Sequence, residues 1–255
     1  LRASVARIIA FAPMIAITSP GATSTASIRA EHVRAPMPAW LAVNAQEFLV
    51  IVVPTDHCDA LTIAEAGRRY QHVVNDLTQA GISTGWIGPG ADQSRIQAIL
   101  GPRFDASRDH VLATIALGYG SRYRPVFSAL AGLTHYKRRP LDQLIFDRVP
   151  ELPAALSQNP WRAYARAFEA CRRAPSSHNT QTTRIIGEPG SGRLTRIGFC
   201  TITPSRFYAP LALGIWAANW ERAMQALRIK GHFEALETPQ TLSNGFKKHA
   251  NWVAD

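Results

Sequence analysis

The feature that most limits the folds open to this chain is an internal repeat at a constant offset of 147 residues. Gly67 pairs with Gly214, Leu77 with Met224, Ile82 with Ile229 and Trp86 with Phe233. Each unit reads as a long amphipathic helix, a short break, an isoleucine and an aromatic, with no gap between the two copies. The apolar face of such a helix needs a partner. A duplicated chain can supply one from its other half, so the two helices are expected to pack on each other about a pseudo-twofold axis. A site at that seam would draw residues from both halves.

Local patterns fit this plan. Phe48 to Val53 (FLVIVV) is a short β-rich run closed by Pro54, which reads as a strand buried on both faces. Thr62 and Glu65 have capping-box spacing, and Ala66, Tyr70, Val73, Val74 and Leu77 recur at helical period until Gly81. Val111 to Ala116 reads as a second apolar strand, ended by Gly118-Tyr119-Gly120. Asn159-Pro160 offers an N-cap and a first helical residue, with Trp161, Tyr164, Phe168 and Cys171 on one face. A hairpin is expected from Ile185-Ile186 and Leu194 to Phe199, and a further helix from Leu211 to Leu227. The sum is an α+β fold, a mixed sheet flanked by helices in two halves.

Composition narrows the function classes. Lys and Arg number 28 against 18 Asp and Glu, a net charge of +10. The basic residues are scattered except at Lys137-Arg138-Arg139, and no run interleaves aromatics for base stacking, so nucleic acid is not an expected partner. Cys58, Cys171 and Cys200 are odd in number and far apart, which suggests neither a disulfide framework nor a zinc knuckle. Asp56-His57-Cys58-Asp59 holds metal-ligand residue types, but neighbours on an extended segment point to opposite faces, so no metal is expected. Arg7 to Ile17 followed by small residues imitates a signal peptide. Its apolar run is broken by Pro13 and falls short of the roughly 20 residues a membrane span needs. The expectation is a truncated start within a cytoplasmic protein without a membrane partner. No GxSxG elbow, Walker loop or GxGxxG fingerprint occurs.

Three stretches carry candidate chemistry. Arg173-Ala174-Pro175-Ser176-Ser177-His178-Asn179-Thr180-Gln181 offers hydroxyls, amides and turn backbone suited to a ring edge and a polyol. Gly81-Ile82-Ser83-Thr84-Gly85-Trp86-Ile87-Gly88 ends on a glycine that lets a ligand approach the backbone closely, and it also reads as a core turn. Lys137-Arg138-Arg139-Pro140-Leu141-Asp142, taken alone, reads as solvated surface.

Together these residues resemble the FMN-dependent nitroreductases. APSSHNTQ is similar to that family's flavin-contacting loop, which implies cofactor contacts from Pro175, Ser176, Ser177, Asn179 and Gln181. The resemblance places Trp86, Ile87 and Gly88 at the flavin's reactive edge, the Gly88 N–H donating to N5, and makes Lys137, Arg138 and Arg139 the phosphate tract. A guanidinium fork with a point charge suits a phosphate dianion. The chain departs from the family where Pro-Trp-Arg-Phe becomes Thr182-Thr183-Arg184-Ile185, and where Pro89 cannot donate. Arg2-Ala3-Ser4-Val5-Ala6-Arg7 is an imperfect echo of the family's N-terminal element.

The tract precedes the loop, an order that resembles the tandem branch, in which one flavin is shared by two half-domains of one chain. The implied organisation is a degenerate or truncated segment over 1–45 and half-domains over 46–150 and 151–255. The implied activity is hydride transfer from NAD(P)H through FMN to an electron-poor small-molecule acceptor such as a nitroaromatic or quinone. The chain would act as a monomer or weak homodimer, and no protein acid, base or nucleophile is called for. The departures keep a rival open: a flavin-binding or flavin-storing protein without turnover, or a degenerate, non-catalytic relative.

Overall fold

The computed structural model describes residues 28–39, 45–56, 58–88, 91–120, 137–149, 151–190 and 192–255. The signal-like stretch through residue 27, the Arg2-to-Arg7 echo, His57 and Pro89 lie outside the described residues.

In chain order the elements are β1 (Arg29–Arg34), β2 (Glu47–Pro54), α1 (Ala60–Gln79), β3 (Ser83–Ile87), α2 (Gln93–Leu100) and β4 (Asp109–Gly118). They continue with β5 (Ile145–Asp147), α3 (Ala165–Arg172), β6 (Thr183–Pro189), β7 (Leu194–Thr201), α4 (Tyr208–Leu227), β8 (Gly231–Thr241) and β9 (Lys247–Ala254). The strands form two sheets rather than the one expected. The first runs β1-β2-β4-β3 and its pairings are antiparallel. The second runs β5-β6-β7-β9-β8 and is mixed, because β5 pairs parallel with β6.

Apart from β5, both sheets follow one order. A long helix carries the chain from the second strand to the third, and the fourth inserts between those two, so that each unit is a split β-α-β. The two sheets stay separate because the long helices lie inside. α1 packs on β2 and β3, α4 packs on β6 and β7, and the two helices pack on each other.

Sheet one is closed on both faces. Leu49, Ile51 and Val53 of β2 join the main core with α1, whereas Phe48, Val50 and Val52 meet Ile96 and Leu100 of α2 in a second layer. An unbroken apolar strand is what two covered faces require. The main core continues into sheet two, where Trp220 of α4 sits among Tyr164, Phe168, Phe199 and Trp252 at ring separations of 5.0 to 6.3 Å.

Three helix starts differ from the sequence expectation. α1 is capped by Asp59, whose carboxylate accepts the Thr62 N–H at 2.8 Å, so the Thr62–Glu65 box does not form and Glu65 is buried within the helix. Asp is as good an N-cap as Thr, and this earlier position adds a turn. α4 begins at Tyr208 rather than Leu211, its N–H donating to Ser205 Oγ at 3.1 Å, with Pro210 in the first turn where its missing N–H does no harm. Residues Trp161–Tyr164 form a 3₁₀ turn without a side-chain cap before α3 starts at Ala165, although Trp161, Tyr164, Phe168 and Cys171 share the expected buried face.

α1 and α4 run side by side in the same direction and meet through glycine. A Cβ at Gly67 would lie 2.4 Å from the Leu211 carbonyl oxygen, and one at Gly214 would lie 1.8 Å from that of Ala64. Backbone touches backbone at this crossing, which no side chain allows. Further along, the seam turns polar. Arg68 is 2% exposed and donates to Glu65 at 2.8 and 2.9 Å and to both Glu221 oxygens at 3.1 Å. His72 Nε2 contacts Glu221 at 2.7 Å, Asn75 donates to Asn219 at 3.1 Å, and Arg222 pairs with Asp76.

Candidate functional site

The segment after α3 cannot continue as a helix because Pro175 lacks an N–H, and it turns tightly instead. His178, Asn179 and Gln181 all have φ near +50°. Each left-handed non-glycine residue costs about 1–2 kcal/mol, so three within four positions must be held by their surroundings. Inside the loop, Ser176 Oγ accepts the Gln181 N–H at 2.9 Å and Thr180 Oγ1 donates to the Ser177 carbonyl at 2.7 Å.

The rest of the restraint comes from the basic tract. Arg139 N–H donates to Gln181 Oε1 at 2.8 Å, and the Asn179 and Gln181 amides both donate to the Lys137 carbonyl at 3.0 Å. Arg138 donates to Asn179 Oδ1 at 2.8 Å and to the Ala174 and Arg173 carbonyls at 3.0 and 3.2 Å. The structure therefore joins two of the three stretches, the Pro175–Gln181 loop and the Lys137–Arg139 tract, into one knot.

Within that knot Asn179, Gln181 and the Arg138 guanidinium bond to protein groups. Burial and the neighbouring Arg172 lower the Arg138 pKa. The groups left facing outward are the Lys137 ammonium, the Arg139 guanidinium with its one bond to Gln143 Oε1 at 3.3 Å, and the Ser177 hydroxyl beside His178 Nδ1. Two cations and a hydroxyl suit a phosphate ester with a polyol, so the residues present fit that end of FMN.

The third stretch makes contacts of its own. Trp86 Nε1 donates to Gln71 Oε1 of α1 at 2.9 Å, and the Ile87 carbonyl accepts Thr114 Oγ1 of β4 at 3.1 Å. A Cβ at Gly88 would come within 3.3 Å of Tyr208 Cε1 at the start of α4. Among the described residues no hydrogen bond joins Trp86, Ile87 or Gly88 to the knot. Asp59 is engaged as the α1 cap and the Cys58 thiol is buried, its pKa raised by that burial. No group of three metal-ligating side chains occurs among the described residues, and no described helix is long and apolar enough to cross a membrane.

What sequence reading missed lies beside the loop. Arg184 is 5% exposed, and its Nη1 donates to the Gln181 and Thr183 carbonyls at 2.7 and 2.8 Å. Burial first, then Arg139, pulls its pKa down to about 10, so it stays charged at neutral pH. Thr182 and Thr183 bury hydroxyls with no hydrogen-bond partner among the described residues. The signal was present: an arginine enters a buried strand, and the nearest acid, Glu188, lies four residues on.

No protein-family model matches the sequence, and no curated protein matches it. Among solved structures, the fold matches the crystal structure of a Thermotoga maritima protein provisionally described as a nitroreductase, with a TM-score of 0.54 and 16% identity. The match covers 90% of this chain and 76% of that one. At this identity the likeness is one of fold: the chain has a nitroreductase-like α+β architecture.

Proposed function

We propose that this chain is an FMN-dependent oxidoreductase that passes hydride from NAD(P)H to an electron-poor small molecule such as a nitroaromatic or quinone. The observation that carries the reading is the knot, in which a basic tract and a Pro-Ser-Ser loop from separate parts of the chain close on each other within a nitroreductase-like fold. Bound flavin supplies two-electron exchange between donor and acceptor. The chain's own part is to hold and orient. Lys137 and Arg139 would take the phosphate, Pro175, Ser176 and Ser177 would line the loop side, and Trp86, Ile87 and Gly88 would border the reactive edge. Arg138, Asn179 and Gln181 act as positioning residues, because they fix the strained loop on the tract.

We also read the chain as two related half-domains, over 46–150 and 151–255, working as a monomer or weak homodimer with one flavin. Support comes from the common strand order and from the reciprocal crossing. Adding 147 carries Ala64 to Leu211 and Gly67 to Gly214, and all four residues meet at the crossing.

A second reading has its own observation. Because Arg138 is taken up by Asn179, and the Asn179 and Gln181 side chains by the backbone of the tract, the loop presents fewer free polar groups than a tight, reactive flavin site would, which favours a flavin-binding or degenerate relative without turnover. The deciding experiment is an absorption spectrum after FMN loading and removal of excess, followed by anaerobic NADPH. Retained bands that bleach support the oxidoreductase, and retained bands that persist support storage. Failure to retain flavin at micromolar protein sinks the oxidoreductase and storage readings and leaves the degenerate, non-catalytic one.

A further inference from the structure

Arg184 is the most deeply buried arginine of the knot, and it has gained no carboxylate among the described residues. Its Nη1 is engaged by two carbonyls, and among the described residues Nε and Nη2 have no bonded partner. An uncompensated buried cation is unfavourable unless something anionic completes it. Thr182 lies two residues earlier on a segment whose ladder already runs past β6, since the Ile202 N–H donates to the Thr182 carbonyl at 3.1 Å. Alternation then puts Thr182 and Arg184 on the same face, away from core-facing Ile185. The Thr182 hydroxyl is 6% exposed as a residue and unbonded.

Further positive charge borders that face. Gln181 joins the Arg139 backbone to Arg184, accepting the Arg139 backbone N–H on its side chain and the Arg184 guanidinium on its own carbonyl, and the Arg139 charge is near enough to oppose that of Arg184. The register Arg184–Cys200–Lys248 crosses three strands, with a small residue between two cations, and the Lys248 stem lies across Gly198. A guanidinium fork, a hydroxyl and two further cations around a small floor are the donor set of a phosphate group.

We propose that this face of sheet two is a phosphate niche, with Arg184 and the Thr182 hydroxyl as direct ligands and Arg139 and Lys248 completing the charge. On the function proposed above, the phosphate is that of FMN, and to that extent the inference rests on that reading; free phosphate is the other source. In either case Arg138 fastens the loop, and Arg184 with Thr182 adds to the hold on the anion that Lys137 and Arg139 supply in the function proposed above.

The test uses the full chain and three probes: FMN, riboflavin and inorganic phosphate. Wild type should bind FMN at least about tenfold more tightly than riboflavin, the ratio expected of one charge-assisted anion contact. In Arg184→Gln that preference should fall to near unity while riboflavin affinity holds, and inorganic phosphate should compete with FMN in wild type alone. Arg184→Gln retaining the FMN preference overturns the niche and leaves the flavin reading standing. If wild type binds neither flavin, the flavin reading fails and phosphate alone decides the niche. A melting-temperature rise in wild type but not in Arg184→Gln upholds it for free phosphate, and no rise in either overturns it. Should Arg184→Gln not fold, Thr182→Val takes its place, with a severalfold smaller FMN preference or phosphate response expected and an unchanged one counting against the niche.

Discussion

The seam between α1 and α4 and the knot beside β6 each bury an arginine, and they treat it in opposite ways. Arg68 meets Glu65 and Glu221, and although burial opposes its charge, those carboxylates raise its pKa. Arg184 meets only carbonyls, and its pKa falls to about 10. A guanidinium matched inside the protein holds elements together and leaves no charge for a ligand. One that is equally buried and left unmatched keeps its field available. The difference separates a scaffold from a binding site with no reference to any relative.

The contrast can be broken by mutation, and the seam should respond most. Glu65→Ala removes one of the two carboxylates that Arg68 meets among the described residues and is expected to lower unfolding free energy by about 4 kcal/mol in urea titration. The double variant Glu65→Leu with Arg68→Met should recover most of that loss, because the charge goes with its partner. Gly67→Ala and Gly214→Ala should each cost about 3 kcal/mol by forcing the helix backbones apart. Unequal costs, one near zero, would argue against reading the crossing as reciprocal.

A pH titration sharpens the comparison on the knot's side. His249 is buried against Thr201 Oγ1 at 2.9 Å, and burial, with Lys247 nearby, depresses its pKa from 6.5 to about 4. The unfolded chain therefore takes up this proton before the folded one does. Stability from His249 is complete above pH 6.5 and is lost as pH falls through about 4, to the extent of about 2–3 kcal/mol. His249→Gln should flatten that part of the stability–pH curve. The smallest effect has the opposite sign from the first: Arg184→Met should leave the ligand-free melting temperature unchanged or raise it, equivalent to about 1 kcal/mol. A large drop would mean that Arg184 is matched after all.

Much of the scaffold was legible because it rests on repetition and period. The apolar run at Phe48 to Val53 and the helical spacing from Ala66 to Leu77 each report one local geometry and appear where they were expected, and Gly67 and Gly214 both lie at the helix crossing. The separation into two sheets was not legible, since strand pairing depends on contacts distant in sequence. The Asp59 cap was missed because Thr62 and Glu65 also satisfied a capping pattern. At the site, the family resemblance and not the residue types suggested that tract and loop belong together, and neither foretold that the Asn179 and Gln181 side chains would be taken up by the tract. Composition gives a side chain's donors and acceptors; only the fold determines whether they are already taken.

Because Gly67 rests on the backbone of Leu211, the contact face of α1 has no cover until most of the chain has been made. Synthesis proceeds at roughly 5–20 residues per second, so the interval before α4 emerges is on the order of ten seconds. During that time the first sheet can pair and α2 can close its far side, while the side of α1 that receives α4 stays open to other chains. The long reach of the contact also raises the entropy of closing the loop between the helices, which puts their docking among the slow steps of folding. A crossing that fixes the finished protein so closely is thus among the last parts of it able to form.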